Sequence, residues 1–72
     1  VAKQHDPTLL LQIAKRLKEL REKRKLSQEA VLLDTGIHIG RIETGKLDIT
    51  VSTVKRLCEY FEISLSDFFE NA

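Results

Sequence analysis

Cysteine, proline and glycine are scarce in this chain: its 72 residues hold one Cys, one Pro and three Gly, with no Met and no Trp. The lone Cys58 excludes an internal disulfide and points to a reducing cytoplasm. No Cys or second His stands at ligand spacing to the histidines, so no metal site is expected. Long apolar runs are missing too, which excludes a membrane-spanning helix. The opening "VAKQHDPT" lacks the apolar stretch of a signal peptide. It begins on Val1 rather than Met, so the chain is expected to be a piece of a longer protein.

What is present is the composition of a soluble globular domain, 42% hydrophobic and 32% charged. Seventy-two residues make one domain, near the lower limit for a fold held by a single core. Net charge is only +1, but it is unevenly spread. Residues 1–46 hold ten Lys/Arg against six Asp/Glu, and residues 47–72 hold two against five. A basic first part can face a polyanion while the acidic end faces away; a salt-bridged helix surface would look the same on charge alone.

One string suggests nucleotide binding. "GRIETGKL", residues 40–47, has the Gly-x4-Gly-Lys spacing of a phosphate-binding loop. The match fails at Leu47, where a hydroxyl has to hold Mg²⁺, and Glu43 would set a carboxylate among phosphate oxygens. No strand precedes it, and a βαβ unit alone takes about 30 residues. With no His–carboxylate–nucleophile set either, no enzyme, no cofactor and no small-molecule ligand is expected.

The chain instead reads as five helices. Asp6-Pro7 is a start signal, followed by the stripe Leu10, Ile13, Ala14, Leu17 and Leu20 at spacings of three and four. Ser27 caps a second helix with Glu29 in its first turn and Ala30 and Val31 inward. A short third helix carries Ile39 and Ile42 and stops at Gly45, taken as the left-handed residue after the helix. That is the use of Gly45-Lys46: a stop signal and a lysine at the negative end of a helix dipole. Thr50 caps a fourth helix with Val54, Leu57, Cys58 and Phe61 inside. "SLSD" at 64–67 starts a fifth helix bearing Phe68 and Phe69, one expected inside and the other free for a dimer contact. Cys58 reads as a core residue.

The stretches "IAKRLKELREKRKLSQEAV", "RIETGKL" and "TVKRLCEYFEISLSDFF" resemble the Cro and phage-repressor type of helix-turn-helix domain, the xenobiotic-response-element (XRE) family. The resemblance covers residues 10–70. It implies an all-α, compact five-helix bundle of the lambda-repressor-like type, with the helix-turn-helix at helices 2 and 3. Residues 1–8 then form an N-terminal extension and 9–70 the domain. Between Ser27 and Glu43 the chain is three residues shorter than the family pattern. Counting back from Glu43 makes Thr35 the N-cap of the recognition helix, with Gly36, Ile37 and His38 in its first turn; counting forward from Ser27 makes Gly36 the turn glycine and starts the helix near His38. The first register is preferred, because Thr caps well.

The resemblance implies double-stranded DNA as partner, a homodimer on a palindromic site, and a cytoplasmic transcriptional regulator, such as a repressor. Arg41 is the expected base reader, suited to two hydrogen bonds with guanine. Ile37 and His38 fall where recognition helices meet bases, with core packing the alternative for Ile37. Gln28 resembles the family's phosphate-binding glutamine; Thr35, Gly36, Thr44 and Lys46 complete the expected DNA face, with Thr50 a weaker hydroxyl contact. The resemblance also implies a partly buried salt bridge between Arg21 and Glu43. An antitoxin or restriction-system controller, or a protein-interaction domain without DNA binding, would share this pattern.

Overall fold

A computed structural model describes residues 6–70; residues 1–5, most of the expected N-terminal extension, and residues 71–72 lie outside it. The order is α1 (Pro7–Lys23), α2 (Gln28–Thr35), α3 (Ile39–Ile42), α4 (Val51–Tyr60) and α5 (Leu65–Glu70), with no strand among the described residues. The class is all-α, five helices in a compact globule, as the periodicity predicts.

Four of the five helices begin on a side chain that accepts an orphan backbone N–H. The Asp6 carboxylate accepts from Leu9 N–H at 3.0 Å and Ser27 Oγ from Ala30 N–H at 3.0 Å. Thr50 Oγ1 accepts from Thr53 N–H at 3.1 Å, and Ser64 Oγ from Asp67 N–H at 3.0 Å. Two helices also stop alike. After α1, Lys25 is left-handed (φ 58°) and Leu26 N–H returns to Arg21 C=O; after α4, Glu62 is left-handed (φ 58°) and Ile63 N–H returns to Cys58 C=O. Both are six-residue C-terminal turns that glycine usually closes. Arg24 ties them together, its Nη2 donating to Phe61 C=O at 2.7 Å and to Glu62 at 3.1 Å.

The core gathers Ile13 and Leu17 of α1, Val31 of α2, Ile39 and Ile42 of α3, Val54, Leu57 and Cys58 of α4, Phe61 and Phe68. Each expected stripe supplies it. Phe68 is fully buried while Phe69 stays exposed beside it, the two rings meeting edge to face. Burial pushes the Cys58 thiol pKa up, so the sulfur is held as an apolar group.

The preferred register of the turn is overturned. Thr35 does not cap the recognition helix; it is the last residue of α2. Its hydroxyl donates back to Val31 C=O at 2.7 Å and accepts from Ile37 N–H at 3.0 Å, which carries the chain out of the helix. Gly36 is left-handed (φ 76°) and closes α2, its N–H reaching Leu32 C=O at 2.8 Å. Gly36 and Ile37 therefore lie in the turn, not in α3. The helix α3 that follows keeps only one turn.

Candidate nucleic-acid interface

The C-terminal end of α3 is tied to α1 by a bidentate ion pair and to α2 by one helper. Arg21 Nε donates to Glu43 Oε2 at 2.7 Å and Nη2 to Oε1 at 3.1 Å, while Nη1 donates to Leu26 C=O at 2.8 Å. Both side chains are nearly enclosed, at 11% and 4% exposure. The bond to Glu43 raises the already high pKa of the guanidinium. The helper is Gln28, whose Nε2 donates to Glu43 Oε1 at 2.9 Å. Gly40 sits against the same amide: a Cβ there would lie 2.9 Å from Gln28 Oε1. The Gln28 side chain thus braces α3. What α2 leaves open at its N-terminus is backbone: Ser27 satisfies Ala30 N–H, and the first N–H groups of a helix have no intrahelical acceptor.

His38 occupies the N-cap of α3, exposed and without a side-chain capping bond. Arg41 is exposed and takes no ion-pair partner among the described residues. These two flank an open cleft of about 330 Å³ shared with Gln28 and Leu32 on one side, and one of about 300 Å³ shared with Leu47 and Ile49 on the other. Ile37 takes the packing alternative: it is buried at 8% exposure and joins the core, forming the floor of the second cleft. Thr44 Oγ1 donates to Arg41 C=O at 2.6 Å and accepts from Lys46 N–H at 3.3 Å, folding the exit of α3. Gly45 is left-handed (φ 75°) and packed under Leu11, and Lys46 beyond it is exposed. Thr50 and Thr53 share a hydrogen bond at 2.9 Å behind this turn.

Sequence reasoning missed two contacts that hold the turn from behind. Arg56 Nη2 donates to Thr35 C=O at 2.9 Å, and the Tyr60 hydroxyl donates to Asp34 at 2.6 Å, which raises the tyrosine pKa. Their partners are 21 and 26 residues away, and no local pattern marks such a pair. Among the described residues no three His, Cys, Asp or Glu come together as a metal site, and no helix is long and apolar enough to cross a membrane.

An eight-residue helix, a glycine-closed turn and a second short helix presenting an arginine, inside a small helical bundle, define a helix-turn-helix protein. A family model described as "Helix-turn-helix domain" matches residues 14–72, and the chain belongs to that family. No curated protein and no solved structure matches it significantly.

Proposed function

We propose that the chain is a sequence-specific DNA-binding transcriptional regulator of the Cro/phage-repressor (XRE) type, acting without catalysis in the cytoplasm and as a homodimer on a palindromic site. The observation that carries the reading is Arg41, exposed on α3 with no ion-pair partner among the described residues, with His38 beside it and Lys46 just past the helix end. A guanidinium left without an acceptor offers the fork that guanine O6 and N7 accept. Lys46 and the backbone N–H groups at the start of α2 suit the two phosphate walls of the same groove. With one turn of α3, few bases per half-site are within reach, so two half-sites are needed for useful affinity.

The same short α3 favours a second reading, a partner-binding domain or antitoxin-like controller whose DNA contact is secondary. Selection of duplexes from a random pool decides between them. Enrichment of a two-fold symmetric sequence, with log K falling by about 4–7 per decade of salt for roughly 4–8 phosphate contacts, is expected. A pool that stays random at low salt overturns the DNA reading.

A further inference from the structure

A third cleft, of about 440 Å³, lies away from the α3 surface, between α1 and the turn that joins α4 to α5. Its apolar lining is Leu20, Phe61 and Ile63. Three cations reach it, and only Arg24 is spent, on Phe61 C=O and Glu62. Lys23 has no ion-pair partner among the described residues, and Arg16 Nε is shut off from solvent with no hydrogen-bond partner. A mixed cleft with an apolar floor, edged by two unspent cations and by a Glu62 that Arg24 already holds, calls for an apolar group that carries a carboxylate.

The chain itself holds such a group. Phe69 on α5 is exposed at 41%, and Glu70 beside it is exposed with no ion-pair partner among the described residues. We infer that a second copy of this chain docks here: Phe69 of each protomer enters the other's cleft over Leu20, Phe61 and Ile63, and Glu70 meets Arg16 and Lys23. Two observations single out a second copy. A two-fold interface must carry both halves of the contact in one patch. Ile63 is a wall of the cleft and Phe69 follows six residues later, so slot and plug lie on one short stretch of chain. The charges also match, a basic first part against an acidic last part of the same sequence. This rests on the proposed homodimer and gives it a surface, one that uses none of the residues expected on DNA.

Sedimentation equilibrium of the whole chain tests it, with circular dichroism melts to check folding. The parent is expected to dimerise. Phe69→Ala, Arg16→Glu and Glu70→Arg are each expected to raise the dimer Kd about tenfold or more. The double variant Arg16→Glu/Glu70→Arg is expected to bind more tightly than either single variant, since its Arg16 half is then reversed rather than broken while Lys23 stays opposed. If Arg16→Glu melts early, the exposed Lys23→Glu takes its place in the same cycle. A parent that stays monomeric, a dimer indifferent to these changes, or a double variant weaker than either single overturns the inference. Duplex binding separates the two readings: a monomer that still selects DNA removes only the cleft, and a charge-reversible dimer that selects no DNA removes only the DNA function.

Discussion

The two ends of α3 are built differently. Its C-terminal end is fixed from three sides: Glu43 is held by Arg21 and Gln28, Gly45 lies under Leu11, and Thr44 bridges Arg41 C=O to Lys46 N–H. Its N-terminal end begins on His38 with no capping side chain, after a turn held by the Thr35 hydroxyl, buried Ile37, and Arg56 and Tyr60 from behind. A one-turn helix cannot sustain itself, since nucleation costs more than its few hydrogen bonds return. The C-terminal end of α3 is therefore the more firmly tied, Arg41 stands next to it, and His38 stands at the less constrained start. In a base-reading surface that is where adjustment to a groove is useful.

The sharpest way to break the contrast is to release the fixed end. Arg21→Ala leaves the Glu43 carboxylate nearly buried with only Gln28 as donor, a loss of about 3 kcal/mol on the scale of broken buried pairs. Arg24 makes a comparable-looking pair with Glu62, but both are exposed, and Arg24→Ala is expected to cost about 1 kcal/mol. Urea melts of the two variants check this. Coincident midpoints would mean that the enclosed pair carries no more than the open one.

At the exposed side chains of α3 and its exit the expected effect is on recognition. Arg41→Ala should lower affinity for the selected site and relax one base position per half-site, a loss of about 1–3 kcal/mol of discrimination. Lys46→Ala should weaken all duplexes alike and flatten the salt dependence, because a phosphate contact carries no base information. Selection profiles of the two variants separate the roles. An Arg41 profile equal to the parent's, with a shifted one for His38→Ala, would move base reading to the very start of α3.

Smaller effects come from the two left-handed glycines that bracket α3. A Cβ at Gly36 meets nothing within 4 Å, so Gly36→Ala should carry only the backbone penalty, about 1 kcal/mol after the gain in chain stiffness. A Cβ at Gly45 would lie 2.5 Å from Leu11 Cδ2, so Gly45→Ala has to move that side chain as well and should melt lower. Equal melting temperatures would mean that Leu11 yields without loss.

The same contrast decides what could be read from the sequence. Caps at Asp6, Ser27, Thr50 and Ser64 are legible because a side-chain oxygen acts on an N–H three residues ahead. The apolar stripes are legible because burial follows the helical period. Thr35 misleads because a threonine hydroxyl serves two geometries: accepting from the next helix's first turn, or donating back to its own, as it does to Val31 C=O. The glycine that follows was the better sign, since Gly36 closes α2 without strain. Gln28 shows the limit of a motif. Its position at the start of α2 suggests a phosphate, and only the fold brings Glu43 and Gly40, 15 and 12 residues on, within reach of its amide.

The smallest expected effect tests the loose end directly. His38 at the N-cap puts no side-chain acceptor on Arg41 N–H, the position that the other caps serve, and that N–H reaches only His38 C=O at 3.1 Å. His38→Ser would place a hydroxyl where Ser27, Thr50 and Ser64 each hold one. The gain should be about 0.5 kcal/mol, at the low end for capping, because residue 38 has ψ 75° rather than the extended ψ of 154° or 161° found at Thr50 and Ser27. In thermal melts the variant should unfold slightly above the parent. In DNA selection it should lose whatever His38 contributes, so stability and recognition move in opposite directions. A melt at or below the parent's would show that the chain cannot turn residue 38 into a capping geometry. The looseness at the start of α3 would then lie in the backbone of the shortened turn, Gly36 to His38, rather than in the missing cap.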